Sequence, residues 1–342
     1  MKRAFTLIEI IVVIIILGIV GTITTKILIK VYKQYYYARA LNKLSYETDK
    51  VINLLAVKLQ NRVKNSVIGV ECNVSANTCI NKNPSDNPSF KAVADIASNE
   101  ADKYPVLEWI GKDIYAKRGI WSDSAKRLLP GYSGFTDLID TAVIGEDEYN
   151  ITTPYSNFKV VEMIDSNWTK EWGIQGDIFD NNYSVLLFSG SNDRGAFLEI
   201  NNSYGYYETP ATQIFSIDKK GSSFGDNNSK TILHIKAITK SETTTPYEGY
   251  FILNSAYAVV PSYNEKDKDF NLTLFFNYHP WKKEKYFNVN NKDANHTTIA
   301  THVTQFKFRE DGGILRIYIC IQDPKIKVGR ENVSICKEKV VF

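Results

Sequence analysis

From Leu7 to Thr25 the chain runs 19 residues in which Glu9 is the sole charge, and between Ile10 and Val20 only Gly18 is not a large apolar residue. As a helix rising 1.5 Å per residue this segment extends about 29 Å, the thickness of a bilayer's hydrocarbon core. Three plain readings compete for it. A secretory signal has a shorter core followed by a small-residue cleavage site, and Thr22 to Lys26 makes a poor one. A plain membrane anchor accounts for the length but not for Glu9, because a carboxylate near the bilayer centre costs at least about 3 kcal/mol and so marks function. A buried helix of a soluble protein fits poorly with so long a β-branched run. Lys2 and Arg3 precede the segment, which predicts a cytoplasmic amino terminus and an exported bulk, although Lys26, Lys30 and Lys33 behind it pull the other way.

The residues at the start carry a resemblance. Lys2-Arg3-Ala4-Phe5-Thr6-Leu7-Ile8-Glu9, followed by the apolar run, resembles the processing signature of type IV prepilins and type II secretion pseudopilins. The resemblance implies that a membrane-bound prepilin peptidase cuts between Ala4 and Phe5 and N-methylates Phe5, with Ala4 standing where the family prefers glycine. It implies that Glu9 guides filament assembly: its carboxylate and the new amino group of a neighbour's Phe5 neutralise each other in an apolar filament core, which offsets two desolvation costs and fixes axial register. Partners follow from the same resemblance: other pilin or pseudopilin subunits, the peptidase and an inner-membrane assembly platform. Gly18 falls where a helix-melting glycine is common in the family, whereas the proline that major pilins have at the position of Lys26 is missing.

Charge divides the chain. Residues 1–66 carry 11 Lys/Arg against 3 Asp/Glu, and the remainder 30 against 35, so the stem is basic and the rest mildly acidic. That balance gives no support to a broad nucleic-acid-binding face. Proline is missing before Pro84, and Leu41, Leu44, Thr48, Val51, Ile52, Leu55, Leu59 and Val63 recur at spacings of three and four. The spacing predicts one helix from Phe5 to about Lys64, with an apolar stripe facing a packed domain. Beyond it, runs at Tyr183–Phe188, Thr231–Ile238, Tyr250–Val260, Leu272–Tyr278, Thr304–Arg309 and Ile314–Ile321 read as strands, the last two joined by the turn Asp311-Gly312-Gly313. The expected fold is α+β: a long N-terminal helix, half transmembrane and half amphipathic, packed on an antiparallel β-sheet head. The expected division is a leader over 1–4, a membrane and filament-core helix over 5–25, its amphipathic half over 26–66 and a head over 67–342, within which 91–145 reads as an inserted subdomain with short helices such as Lys91–Lys103. The carboxyl-terminal meander also resembles the larger minor pilins and pseudopilins.

Four cysteines form two local pairs, Cys72 with Cys79 and Cys320 with Cys336. Outside the cytoplasm these are expected disulfides, the second worth about 3 kcal/mol by loop closure; four reduced thiols or a zinc site are the alternatives, and no CxxC spacing favours zinc. Nine Asn-x-Ser/Thr sequons occur, and seven of them, at Asn73, Asn150, Asn167, Asn182, Asn201, Asn271 and Asn295, have an acid two positions earlier, where chance would place about one. The pattern resembles the extended acceptor of bacterial periplasmic oligosaccharyltransferases; the competing reading is an Asn- and Asp-rich surface with coincidental spacing.

Little else points to chemistry. Glu265, Asp267, Asp269 and Asn271 alternate as oxygen ligands might for calcium, but the glycine and distant bidentate glutamate of a calcium loop are missing, and a solvated acidic run reads equally well. His234, His279, His296 and His302 show no metal-ligand spacing, and Trp168 and Trp172 read as core before ligand platform. With no nucleophile elbow, phosphate loop or dinucleotide fingerprint, the chain reads as no enzyme and as requiring no cofactor. The function expected is a minor pilin or pseudopilin, single-pass in the bacterial inner membrane with its head in the periplasm, that primes, inserts into or caps a filament for pilus assembly, secretion or DNA uptake. An exposed adhesin or ligand-binding tip of such a filament is the alternative.

Overall fold

A computed structural model of the chain describes residues 6–83, 85–171, 177–189, 199–224, 230–240, 245–287, 294–328 and 331–342. The unbroken proline-free stretch forms one helix, α1 (Leu7–Gln60), about 81 Å long. Its last turn stops four residues short of the expected Lys64, for a local reason. Arg62 turns its guanidinium back onto the Leu59 carbonyl, and the Val63 N–H donates to Ile110, so the chain leaves the helix axis to join the sheet.

The elements that follow are β1 (Ile68–Val70), β2 (Phe90–Ala92), β3 (Val106–Lys112), α2 (Ile114–Arg118), β4 (Ile120–Ser122), β5 (Arg127–Leu129), β6 (Asp137–Gly145), β7 (Glu148–Thr152), α3 (Phe158–Glu171), β8 (Val185–Phe188), α4 (Ile200–Ser203), β9 (Ile214–Ser223), β10 (Ile232–Ala237), β11 (Tyr250–Asn264), β12 (Asp269–Tyr278), β13 (Asn295–Asp311), β14 (Ile314–Val328) and β15 (Glu331–Val341). All but β4 and β5 join one antiparallel sheet, ordered β15-β14-β13-β12-β11-β8-β9-β10-β7-β6, with β3 and then β1 and β2 branching from β11. Lys91–Lys103 holds β2 and two single 3-10 turns instead of longer helices, because β2 pairs with β1 and the Val93 N–H goes to Val67. The 91–145 stretch sends β3 into the middle of the sheet and β6 to its edge.

Strand β11 organises the sheet. One edge takes β8 at the strand's start, Tyr250 to Leu253, and β12 from Ala256 onward, while the other takes β3 from Leu253 to Val259. The strand thereby joins a helix-bearing half to a distal half made of β6 to β10. Side-chain alternation then sorts the core. Leu107 and Trp109 of β3 point to α1, where Leu44, Val51, Ile52, Leu55 and Leu59 meet Val259, Leu274, Ile317 and Ile319. Val106 and Ile110 point to the other face, among Tyr204, Tyr206, Tyr278 and Tyr286. A third cluster packs α3, through Phe158 and Val161, on Phe188, Phe215 and Ile235 of the distal half.

The Asp311-Gly312-Gly313 turn joins β13 to β14, with both glycines at positive φ as a tight two-residue hairpin requires. Cys72 is bonded to Cys79 in the loop after β1, and Cys320 to Cys336 directly opposite it in the β14–β15 ladder.

Candidate assembly site

Along α1 the environment changes abruptly. From Leu7 to Tyr37 every residue is exposed, including Ile10 through Leu17 all round the helix. From Ala40 onward one face is buried in the head. The bare half is therefore an apolar rod with no partner among the described residues, and it is the one described helix long and apolar enough to cross a membrane.

The polar groups of the rod are satisfied from within. Thr22, Thr24 and Thr25 donate their hydroxyls to the carbonyls of Ile19, Val20 and Gly21, so the protons of these three hydroxyls need no acceptor outside the helix. At the tip, Glu9 is bent back onto Thr6, its Oε2 accepting both the Thr6 N–H at 2.9 Å and the Thr6 hydroxyl at 3.0 Å. A glutamate at this third helical position, answering a threonine cap, covers an otherwise unpaired N–H of the helix start. The arrangement holds the carboxylate beside the chain's approach to the helix. Ala4 and Phe5 themselves lie outside the described residues.

At the rod's other end Tyr32, Tyr35, Tyr36 and Tyr37 are exposed, with Tyr32 and Tyr36 in ring contact at 5.4 Å. Lys26, Lys30, Lys33 and Arg39 surround them, and no acid occurs between Glu9 and Glu47. Aromatic and basic residues in such a collar suit the boundary between an apolar phase and water.

The head contains buried chemistry that the sequence did not announce. Glu108 on β3 is fully enclosed and accepts hydrogen bonds from the hydroxyls of Tyr207 and Tyr278. Burial pushes its carboxyl up to about 7, against the opposing pull of the two phenols. Asp165 on α3 is likewise buried and is held well above the usual carboxylate range by burial and by the neighbouring Asp113; Ser184 donates to it. Arg62 is buried at the end of α1, reaching the main-chain oxygens of Leu59, Gly313 and Phe342. Apart from Arg62 on Leu59, none of these contacts follows a local spacing, since their partners lie far away in the chain.

The sequons separate by position. Asn73 and Asn201 are exposed, and so are their acids Glu71 and Glu199. Asn167 is exposed on α3, but its Asp165 is buried; Asn182 is half-buried in a turn. Asn150 and Asn271 sit half-buried in β7 and β12 inside the sheet, and Asn295 opens β13, its Asp293 outside the described residues. Of the alternating acids, Asp267 and Asp269 come together with His302, whereas Glu265 is exposed. His279 is buried against Glu284, and His234 lies half-buried beside Asp218. Trp172 and the Trp168 side chain lie outside the described residues.

No curated protein and no solved structure matches the chain. Residues 1–25 match the family model described as a prokaryotic N-terminal methylation motif. The exposed rod and the glutamate at its tip therefore belong to the type IV pilin and pseudopilin signature, which is what the amino terminus of this chain carries.

Proposed function

We propose that the chain is a minor pilin or pseudopilin, a subunit that primes, inserts into or caps a periplasmic filament. The observation that carries this reading is the rod: an apolar half-helix with Glu9 at its tip, exposed all round, continuous with a half-helix buried in a large head. Before assembly the rod is stored in the inner membrane, with the tyrosine and lysine collar at the periplasmic boundary. After cleavage between Ala4 and Phe5 and methylation of Phe5 by the prepilin peptidase, it moves through the assembly platform into contact with other subunits. Two disulfides support an oxidising compartment for the head. A head this size favours a minor position, since it packs poorly at every point of a helical array. Structural assembly, not catalysis, is its role.

The test is Glu9→Ala in the full chain, scored for filament incorporation and for unfolding of the head. Incorporation should fail while head stability holds. Normal incorporation would refute the register role of Glu9. Deletion of the subunit, scored together for piliation, secretion and transformation, assigns the system.

One observation favours an adhesive tip as a second reading. Strand β6 lies at the other end of the strand order from β15 and exposes Leu138, Ile139 (96%), Val143 and Ile144; Trp121 and Tyr155 are exposed as well. On this reading filaments form without the subunit, while the head alone binds a surface. Glycosylation by an oligosaccharyltransferase is a further proposal, and its best acceptors are Asn73 and Asn201, where both sequon and acid are exposed. A native head with its peptide mass alone would end it.

A further inference from the structure

We propose that Asp267, Asp269 and His302 form a site for a first-row divalent cation of the zinc class, tying the β11–β12 hairpin to β13. The three residues come from segments more than 30 positions apart in sequence, and the fold converges them. Their donor atoms all lie within 4.8 Å of one another. His302 Nδ1 is 2.8 Å from Asp269 Oδ2 and 4.0 Å from Asp267 Oδ2.

The backbone is shaped to make this contact. In the β12–β13 ladder Phe270 faces Val303 and Leu272 faces Ala300, so two residues of β13 stand opposite one of β12. His302 lies in this bulge at φ +56, a left-handed conformation that a regular strand does not contain. On the other side, the hairpin turn passes through Lys268 at φ +53 between the two aspartates.

The second observation concerns Asp269. Its side chain is wholly buried, and Oδ2 accepts from His302 and from Gln322 Nε2 at 3.1 Å. Its Oδ1 has no hydrogen-bond partner among the described residues. A buried carboxylate oxygen with no donor is costly, and a cation is the ligand that relieves it. Two carboxylates around a single imidazole also leave net negative charge for a divalent ion to neutralise.

Donor chemistry and spacing choose among cations. Zinc binds histidine nitrogen and carboxylate oxygen at about 2.0–2.2 Å, which in a tetrahedron sets donors about 3.4 Å apart. The observed 2.8 and 4.0 Å straddle that value. Calcium asks for six to eight oxygens at longer range, and imidazole is not among its usual donors. Asp267 and His302 are half-buried, and Asp269 borders a cleft of about 390 Å³ shared with Tyr263, Thr304 and Gln305.

The experiment titrates the full chain in detergent with Zn²⁺ and, in parallel, Ca²⁺, following bound metal and thermal unfolding. One Zn²⁺ should bind per chain at micromolar concentration and raise the unfolding temperature. His302→Ala and the half-exposed Asp267→Asn should each weaken zinc by about tenfold or more. Co²⁺ in place of zinc should give the visible absorption of a four-coordinate site, lost in His302→Ala. Absence of saturable zinc binding to the wild-type chain, or wild-type affinity retained in both variants, overturns the proposal. Ca²⁺ binding as tightly to His302→Ala as to wild type, with zinc no tighter, overturns the zinc-class assignment in favour of an all-oxygen site.

Discussion

The two halves of α1 are made from the same kinds of residue and meet different surroundings. Leu44, Val51, Leu55 and Leu59 recur on one side and are closed over by β3, β14 and β15. Ile10 to Leu17 are apolar on every side and are covered by no described residue of the head. A striped helix needs one covering surface, which the head supplies; a helix apolar all round needs a bilayer or several neighbours, which the head cannot supply. Two glutamates mark the same contrast. Glu108 is enclosed by the head and answered by two tyrosines, whereas Glu9 stands on the bare half with only Thr6 to answer it. The buried half is thus a finished core, and the bare half an apolar surface that no described residue of the head covers.

The comparison breaks most sharply at Leu55. It is fully buried at the centre of the stripe, so Leu55→Ala should lower head stability by about 2–5 kcal/mol, through lost transfer energy and the cavity left behind. Denaturant unfolding of detergent-solubilised protein, monitored through head fluorescence, measures it. A loss near zero would mean that the stripe is not the seat of the head.

Glu108 gives a pH signature. In the folded head its carboxyl is raised to about 7 from an unfolded value of 4.5, so the folded state keeps a proton that the unfolded state loses. Stability from this group is fully present below pH 4.5, declines as pH rises towards 7 and is constant above, a span of about 3 kcal/mol. Glu108→Gln should remove that slope. An unchanged slope would place the titration elsewhere.

Arg62 closes the buried half. Its guanidinium fastens the last turn of α1 to Gly313 and Phe342, and so to the β13–β14 turn and the end of β15. Arg62→Ala should cost about 2 kcal/mol, the scale of hydrogen bonds to a charged donor. The loss should appear first as faster hydrogen exchange in β14 and β15; uniform exchange across the sheet would argue against a local clasp.

These elements differ in how legible they are from sequence. The rod needs only composition and length, and the stripe only spacing, so both are read locally. Strands β8 and β10 to β14 show as β-branched and aromatic runs. Strands β6, β7 and β9 do not, because Asp137, Asp140, Glu148, Asp218 and Lys219 interrupt their apolar pattern on exposed faces. Glu108 hides for a different reason. Within Val106–Lys112 a glutamate reads as a solvent-facing position, and only the return of Tyr207 and Tyr278 encloses it. His302 is paired to Asp269 by a bulge, and a bulge in a long ladder leaves no fixed spacing to detect.

The smallest expected effect completes the contrast. Ile15 sits mid-rod, half its surface exposed, and no described residue of the head covers it. Ile15→Ala removes the same kind of apolar bulk as Leu55→Ala, yet head unfolding should stay within about 0.5 kcal/mol of wild type, as for any site away from packed contacts. On the proposed assembly role, filament incorporation should fall, because the methyl groups lost there are the ones a neighbouring subunit would cover. A head destabilised by Ile15→Ala would mean that the rod folds back on the head in solution, and the two halves of α1 would no longer be separate devices.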